Sequence, residues 1–144
     1  MIRHLSDVKE IFLNTDGVSD NTVIYSFNNI VPHDNSEDLL YGETILYPGQ
    51  INGEYFMTKG HKHESTCAEV YYGLEGEAIV LCENEDFIYE DILKPGVAVY
   101  CKPNYSHRVI NKSDAPCRFF CVCRADAGHD YNVTFTKRYM SEEN

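Results

Sequence analysis

The stretch Gly60-His61-Lys62-His63-Glu64-Ser65-Thr66-Cys67-Ala68-Glu69-Val70-Tyr71 decides how the chain is to be read. In extended backbone, side chains alternate faces with a period of two, so His61 and His63 are expected on one side of a β-strand. Glu69 then opens a second run of strand formers, Glu69-Val70-Tyr71-Tyr72-Gly73-Leu74, in which Tyr71 shares the face of Glu69. A third histidine, His107, lies far downstream in Pro103-Asn104-Tyr105-Ser106-His107-Arg108-Val109-Ile110-Asn111. Three imidazoles and one carboxylate suit a divalent transition metal, so His61, His63, Glu69 and His107 are the candidate ligands. Gly60, just before the first histidine, lets the backbone come close to the centre.

Working outward, the pattern is β almost throughout. Thr22–Phe27, Glu43–Tyr47 and Glu54–Lys59 precede the histidines; further runs follow at 69–74, 77–82, 86–93, 97–101, 107–111, 117–123 and about 130–136. They are rich in β-branched and aromatic residues, and Gly, Pro, Asn and Asp fill the breaks between them. Asn28–Asp38 reads as a polar loop. Ser6–Leu13 is expected to form a short helix capped by Ser6, with Val8, Ile11 and Phe12 on its apolar face. Many short strands between turn signals argue for an all-β sandwich or barrel. With no linker or repeat, the expectation is one domain over 1–144, its barrel at about 22–136, and a frayed acidic tail from Ser141 to Asn144. By parity Arg108 should face solvent, and Lys59 should share the side of His61 unless a bulge at Gly60 displaces it. His4 and His33 read as surface residues. Glu54-Tyr55-Phe56-Met57 reads as an exposed aromatic strand suited to self-association.

The balance of 12 basic and 23 acidic side chains gives a net charge of −11, which argues against nonspecific binding to nucleic acid or an anionic membrane. No apolar run is long enough to span a bilayer, and the first residues lack a signal-peptide core. The six cysteines are therefore expected in a reducing cytoplasm, as buried small hydrophobes or reactive thiols. Cys117, Cys121 and Cys123 share one strand face but lack the spacing of a thiolate metal site.

The arrangement His61-x-His63-x5-Glu69-x6-Gly76, followed by Gly96-x6-Pro103-x3-His107-x3-Asn111, resembles the paired motifs of the cupin superfamily. Thr44-Ile45-Leu46-Tyr47-Pro48-Gly49, Thr58-Lys59-Gly60-His61-Lys62-His63, Ala68-Glu69-Val70-Tyr71 and Ala125-Asp126-Ala127-Gly128-His129-Asp130-Tyr131 narrow the likeness to the cupin-type glucose-6-phosphate isomerases best known from archaea. The resemblance implies a double-stranded β-helix, or jelly-roll barrel, and a homodimer. It also implies a sugar-phosphate substrate and a divalent metal: Fe2+ foremost, with Mn2+, Ni2+ or Zn2+ as alternatives. His61, His63, Glu69 and His107 match the family's metal ligands. Thr44, Thr58 and Gly60 match positions that hold the phosphate, while Tyr25, Tyr71, His129 and Tyr131 match the lining of the sugar site. Cys123 stands where the family usually has a phosphate-binding tyrosine.

Aldose–ketose isomerisation moves a hydrogen between C1 and C2. A proton-transfer route needs a base at carbon, for which Glu69 is the nearest carboxylate, whereas a direct hydride shift needs none. The sequence leaves both open. Ring opening needs a separate acid–base group, and His129 is the candidate, with Tyr71 as a catalytic hydroxyl beside Glu69. Two competing readings are a cupin Fe(II) dioxygenase and a non-catalytic sugar-phosphate-binding module.

Overall fold

The computed structural model describes residues 1–142. The described residues form eleven strands: β1 (Ile2–His4), β2 (Val23–Ile30), β3 (Leu39–Leu46), β4 (Gln50–Ile51), β5 (Glu54–Tyr55), β6 (Glu69–Glu75), β7 (Ala78–Glu83), β8 (Ile88–Leu93), β9 (Ala98–Cys101), β10 (Ser106–Ile110) and β11 (Cys117–Arg124). A short helix, α1 (Leu5–Val8), runs into a 3-10 turn at Lys9–Ile11. The strands form a six-stranded sheet in the order β1-β2-β3-β11-β6-β9, a three-stranded sheet β10-β7-β8 and the small ribbon β4-β5. Every pairing between named strands is antiparallel.

The core lies between the two larger sheets. β11 alternates strictly, sending Cys117, Phe119, Cys121 and Cys123 inward. Ile24, Leu46, Val80, Val99 and Val109 join the first three of these in one core from other strands. Full burial of a side chain such as Phe119 or Ile24 contributes about 1.5–3 kcal/mol of hydrophobic stabilisation. The helix is anchored by Leu5, Val8, Ile11 and Phe12. Its cap is His4 rather than Ser6: the His4 amide donates to Asp7 Oδ2 at 2.8 Å.

Several sequence expectations need correction. β2 continues to Ile30 and β3 starts at Leu39, so the polar loop is shorter than 28–38; its first residues are strand because Asn28 and Asn29 pair with Glu43 and Gly42. β1 was not expected at all. Only Glu54 and Tyr55 of the 54–59 run are in a named strand, and Glu54, Phe56 and Met57 are buried rather than exposed. No strand forms at 130–136. That segment is extended, and it straps across the outer face of β10 and β7: Thr136 donates to Glu83 from its amide (2.9 Å) and hydroxyl (2.6 Å), and the Tyr139 carbonyl accepts the Tyr55 amide at 3.0 Å. The strap buries Arg108, whose parity pointed to solvent, by laying Phe135 over its guanidinium at 4.1 Å. In the acidic tail, the Ser141 amide donates to the Gly53 carbonyl at 2.6 Å, so the chain is held at least that far; residues 143–144 lie outside the described residues. His33 is exposed and His4 half-buried.

Candidate metal centre and its pocket

Residues 56–63 run antiparallel to β10 without forming a regular strand. Thr58 and Val109 exchange hydrogen bonds (Thr58 amide to Val109 carbonyl, 2.9 Å; Val109 amide to Thr58 Oγ1, 3.0 Å), and the His61 and His107 backbones exchange a pair at 3.1 and 2.9 Å. Met57 bridges to Ile110 and His61 to His107, so four steps along one chain match three along the other. The extra residue is a bulge at Lys59–Gly60, made possible by the left-handed φ of +80° at Gly60. A bulge switches parity. That is why Thr58 and His61 both line the same pocket. The expectation that the two histidines sit in a regular strand is corrected, although their shared face survives.

Past His63 the chain turns through a loop fixed by Ser65, whose hydroxyl donates to the Asp126 and Ala127 carbonyls at 3.0 and 3.1 Å. Glu69 then enters β6 beside β9 and β11. One potential ligand atom from each of His61, His63, Glu69 and His107 lies within 4.8 Å of all the others. Glu69 Oε1 is 3.0 Å from His63 Nε2, 3.1 Å from His107 Nε2 and 3.5 Å from His61 Nε2. His63 Nδ1 is directed at the Cys67 carbonyl (3.1 Å) and His107 Nδ1 at the Tyr105 carbonyl (3.4 Å), which turns both Nε2 atoms inward.

The electrostatics agree with a cation site. Burial pushes His61 down to about 4 against the opposing pull of Glu69, so its ring is neutral near pH 7. Burial alone would raise the Glu69 carboxyl, but hydrogen bonds from His107, His61 and His63 hold it well below the usual range. Burial also lowers His63, yet the hydrogen bond and charge of Glu69 raise it on balance. The Nε2 atoms of His61 and His107 face one another at 3.1 Å, where at most one proton fits between them. Lone pairs so crowded around one carboxylate oxygen suit a shared cation better than a proton network. Three nitrogens and one carboxylate fit divalent iron, manganese, nickel or zinc alike. All six cysteines are free and buried, and among the described residues none joins a metal-ligating group.

His61 and Glu69 also form one wall of a pocket of about 620 Å³, counting its open mouth. The structure brings Tyr25, Thr44, Thr58, Gly60, Tyr71, His129 and Tyr131 to this same pocket from β2, β3, β6, the 58–63 segment and the chain after β11. The ring of His129 stacks on Tyr131 (5.8 Å, 14°) and lies 4.5 Å from His61. Burial lowers His129, and burial followed by the charge of Glu69 raises Tyr71 well above the usual phenol range. The Tyr25 hydroxyl accepts a long hydrogen bond (3.4 Å) from the Lys59 amide.

Sequence reasoning missed Phe27, Asn29, Leu40, Phe119 and Cys121, which also line the pocket, and Arg3, which sits 5.3 Å from the centre of the Phe27 ring; burial raises the Tyr25 hydroxyl, and the Lys59 hydrogen bond and the charge of Arg3 oppose that in part. The parity of Cys121 with Phe119 in β11 was the available signal for those two; Arg3 and Asn29 lay in stretches not read as strand. Lys59 does reach the pocket, with Nζ 5.3 Å from the centre of the Tyr131 ring and 3.3 Å from Glu10. Cys123 is packed against Leu40, Cys67 and Ala127 and is not part of the pocket wall.

Residues 3–143 match the family model described as Glucose-6-phosphate isomerase (GPI). A glucose-6-phosphate isomerase from Thermococcus kodakarensis is 36% identical over 137 residues, covering 91% of this chain and 72% of its own length. One from Thermococcus litoralis is 36% identical over 153 residues, covering 99% and 80%. In fold, the chain is similar to a Klebsiella pneumoniae protein with a double-stranded β-helix domain (TM-score 0.58, 20% identity, 85% of this chain and 91% of that one). The all-β, cupin-type architecture expected from the sequence is therefore present.

Proposed function

The chain belongs to the glucose-6-phosphate isomerase (GPI) family, and from that membership we propose that it interconverts glucose 6-phosphate and fructose 6-phosphate with the help of a divalent metal. The observation that carries this reading is that the cluster of four candidate ligands adjoins, through His61 and Glu69, a pocket lined by the seven candidate substrate and catalytic residues.

His61, His63, Glu69 and His107 hold the ion, with Fe2+ as the first choice. When bound, it polarises the oxygens at C1 and C2 and stabilises negative charge developing there. Thr44, Thr58 and the Gly60 backbone receive the phosphate, and Lys59 and Arg3 supply positive charge at that end. Tyr25 and Tyr131 bind sugar hydroxyls. His129, neutral near pH 7, takes a proton from the ring hydroxyl and returns it to the ring oxygen as the cyclic form opens. Glu69 carries the proton between C2 and C1 if the reaction runs by proton transfer, with Tyr71 beside it as a neutral hydroxyl donor. In a direct hydride shift, Glu69 serves only as ligand. Turnover in heavy water separates the two: deuterium at carbon marks proton transfer.

The working form is proposed to be a cytoplasmic homodimer of single-domain chains. The outer face of the six-stranded sheet carries a row of apolar side chains, Tyr41, Val122, Val70 and Tyr100, with Tyr72 and Leu74 alongside. An exposed apolar face of this kind favours a second copy of the chain. Free thiols at all six cysteines support a reducing compartment. Among the described residues, no helix is long and apolar enough to cross a membrane.

The test is an oxygen-free assay converting fructose 6-phosphate to glucose 6-phosphate, with added iron or manganese and with chelator as control. Turnover without oxygen supports the isomerase and excludes the dioxygenase. Metal binding with no product under any metal would sink the proposal and leave a binding module.

A further inference from the structure

A second cavity, with about 510 Å³ of empty space counting its mouth, opens on the far side of the Lys59–Gly60 bulge. Its walls include Arg108, Lys59, Arg138, Glu10, Thr134 and Tyr131. Three cations at one cavity stand out on a chain of net charge −11. Two of them are engaged: Arg138 with Glu54 (2.6 Å) and the Ile11 carbonyl (2.7 Å), and Lys59 with Glu10 at 3.3 Å. Arg108 is different. It is only 4% exposed, and among the described residues it forms no ion pair. Its one hydrogen bond runs from Nη2 to the Lys59 carbonyl at 2.6 Å, and its Nε has no partner. The nearby carboxylates are already used, Glu54 by Arg138 and Glu83 by the Thr136 amide and hydroxyl.

Arginine this deeply buried ordinarily has a carboxylate partner, because an uncompensated charge in the interior is strongly unfavourable. The fork of donors on a guanidinium matches the oxygens of phosphate and carboxylate. We propose that this cavity is a second anion site, distinct from the substrate pocket, in which Arg108 binds a small oxyanion such as inorganic phosphate, with Lys59 and Arg138 at its sides. Glu10 is the one carboxylate in its wall and opposes the anion. Because Lys59 and Tyr131 line both cavities, and Arg108 holds the Lys59 carbonyl, the bound anion sits directly behind the bulge that places Thr58 and His61. The site does not depend on the isomerase reading.

The test is a titration of the full chain with inorganic phosphate, followed by the arginine Nε–H resonances in proton–nitrogen NMR spectra. Arg108 Nε–H should shift and saturate, and should still do so in Thr44→Val, which impairs only the substrate pocket. Glu10→Gln, a change at an exposed side chain, should tighten binding about fivefold by removing one negative charge near the anion. Arg108→Gln should abolish the saturable phase; if that variant does not fold, the other two still decide. The proposal is overturned if Arg108 Nε–H does not respond, or if the response is lost in Thr44→Val, which would assign all phosphate binding to the substrate pocket. An unchanged affinity in Glu10→Gln would also overturn it.

Discussion

Replacing Gly60 by alanine tests whether the bulge is held by packing as well as by backbone conformation. At φ +80° the new side chain meets the left-handed strain of about 1–2 kcal/mol. Its Cβ would also lie 2.8 Å from Phe135 Cε2 and 3.0 Å from Arg108 Cβ, both buried and neither free to retreat. Overpacking of that kind adds about 1–3 kcal/mol. The expected destabilisation is therefore about 2–5 kcal/mol. Gly96→Ala is the matched control: its φ is +81°, but nothing lies within 4 Å of the added Cβ, so only the strain of about 1–2 kcal/mol applies. Reduced freedom of the unfolded chain is common to both variants and cancels in the comparison. Urea unfolding followed by far-ultraviolet circular dichroism is the suitable assay, since the chain has no tryptophan. Should the two variants differ by less than about 0.5 kcal/mol, the packing of Phe135 and Arg108 onto the bulge is not as described.

Four further outcomes concern the site and the outer face of the six-stranded sheet. Glu69→Gln keeps the shape and removes the charge that three imidazoles face; manganese affinity by equilibrium dialysis should fall by more than the roughly 10–100-fold typical of outer partners, and an unchanged affinity would contradict the ligand assignment. Burial lowers His129, so the wild-type acid limb of kcat/KM should lie below the ordinary imidazole value of about 6.5, with activity level above it and lost as the ring protonates at lower pH. His129→Gln should slow ring opening by about 10²–10⁴-fold and remove that limb; a limb that persists would assign it to another group. Tyr72→Lys, on the exposed sheet face, should shift the chain to monomer in light scattering while leaving its circular dichroism intact, and an unaltered dimer would place the interface elsewhere.

Much of this site was legible because its ligands obey simple local rules. His61 and His63 keep their period-two relation, and Glu69 and Tyr71 keep theirs within a regular β6. The bulge hid the relation between Thr58 and His61, because one extra residue reverses parity and sequence alone does not fix where it falls. Arg108 was misread for a different reason. Alternation tells which face a side chain takes, not whether that face is covered, and the strap over β10 is held by Thr136, Arg138 and Tyr139 through contacts distant in sequence. Arg3 and Asn29 were passed over because β1 is only three residues long and the end of β2 is polar; pairing with neighbouring strands, not propensity, makes them extended.

The central claim is that the four-ligand cluster holds an ion on which the isomerisation depends. It is tested most directly by stripping the protein of metal, verifying that by elemental analysis, and adding iron or manganese back stepwise while measuring fructose 6-phosphate turnover. The stripped protein should show no turnover, and recovery should be linear and end at one ion per chain, the capacity of the single cluster found among the described residues. Full turnover without metal, or the same recovery in His61→Ala, would contradict it.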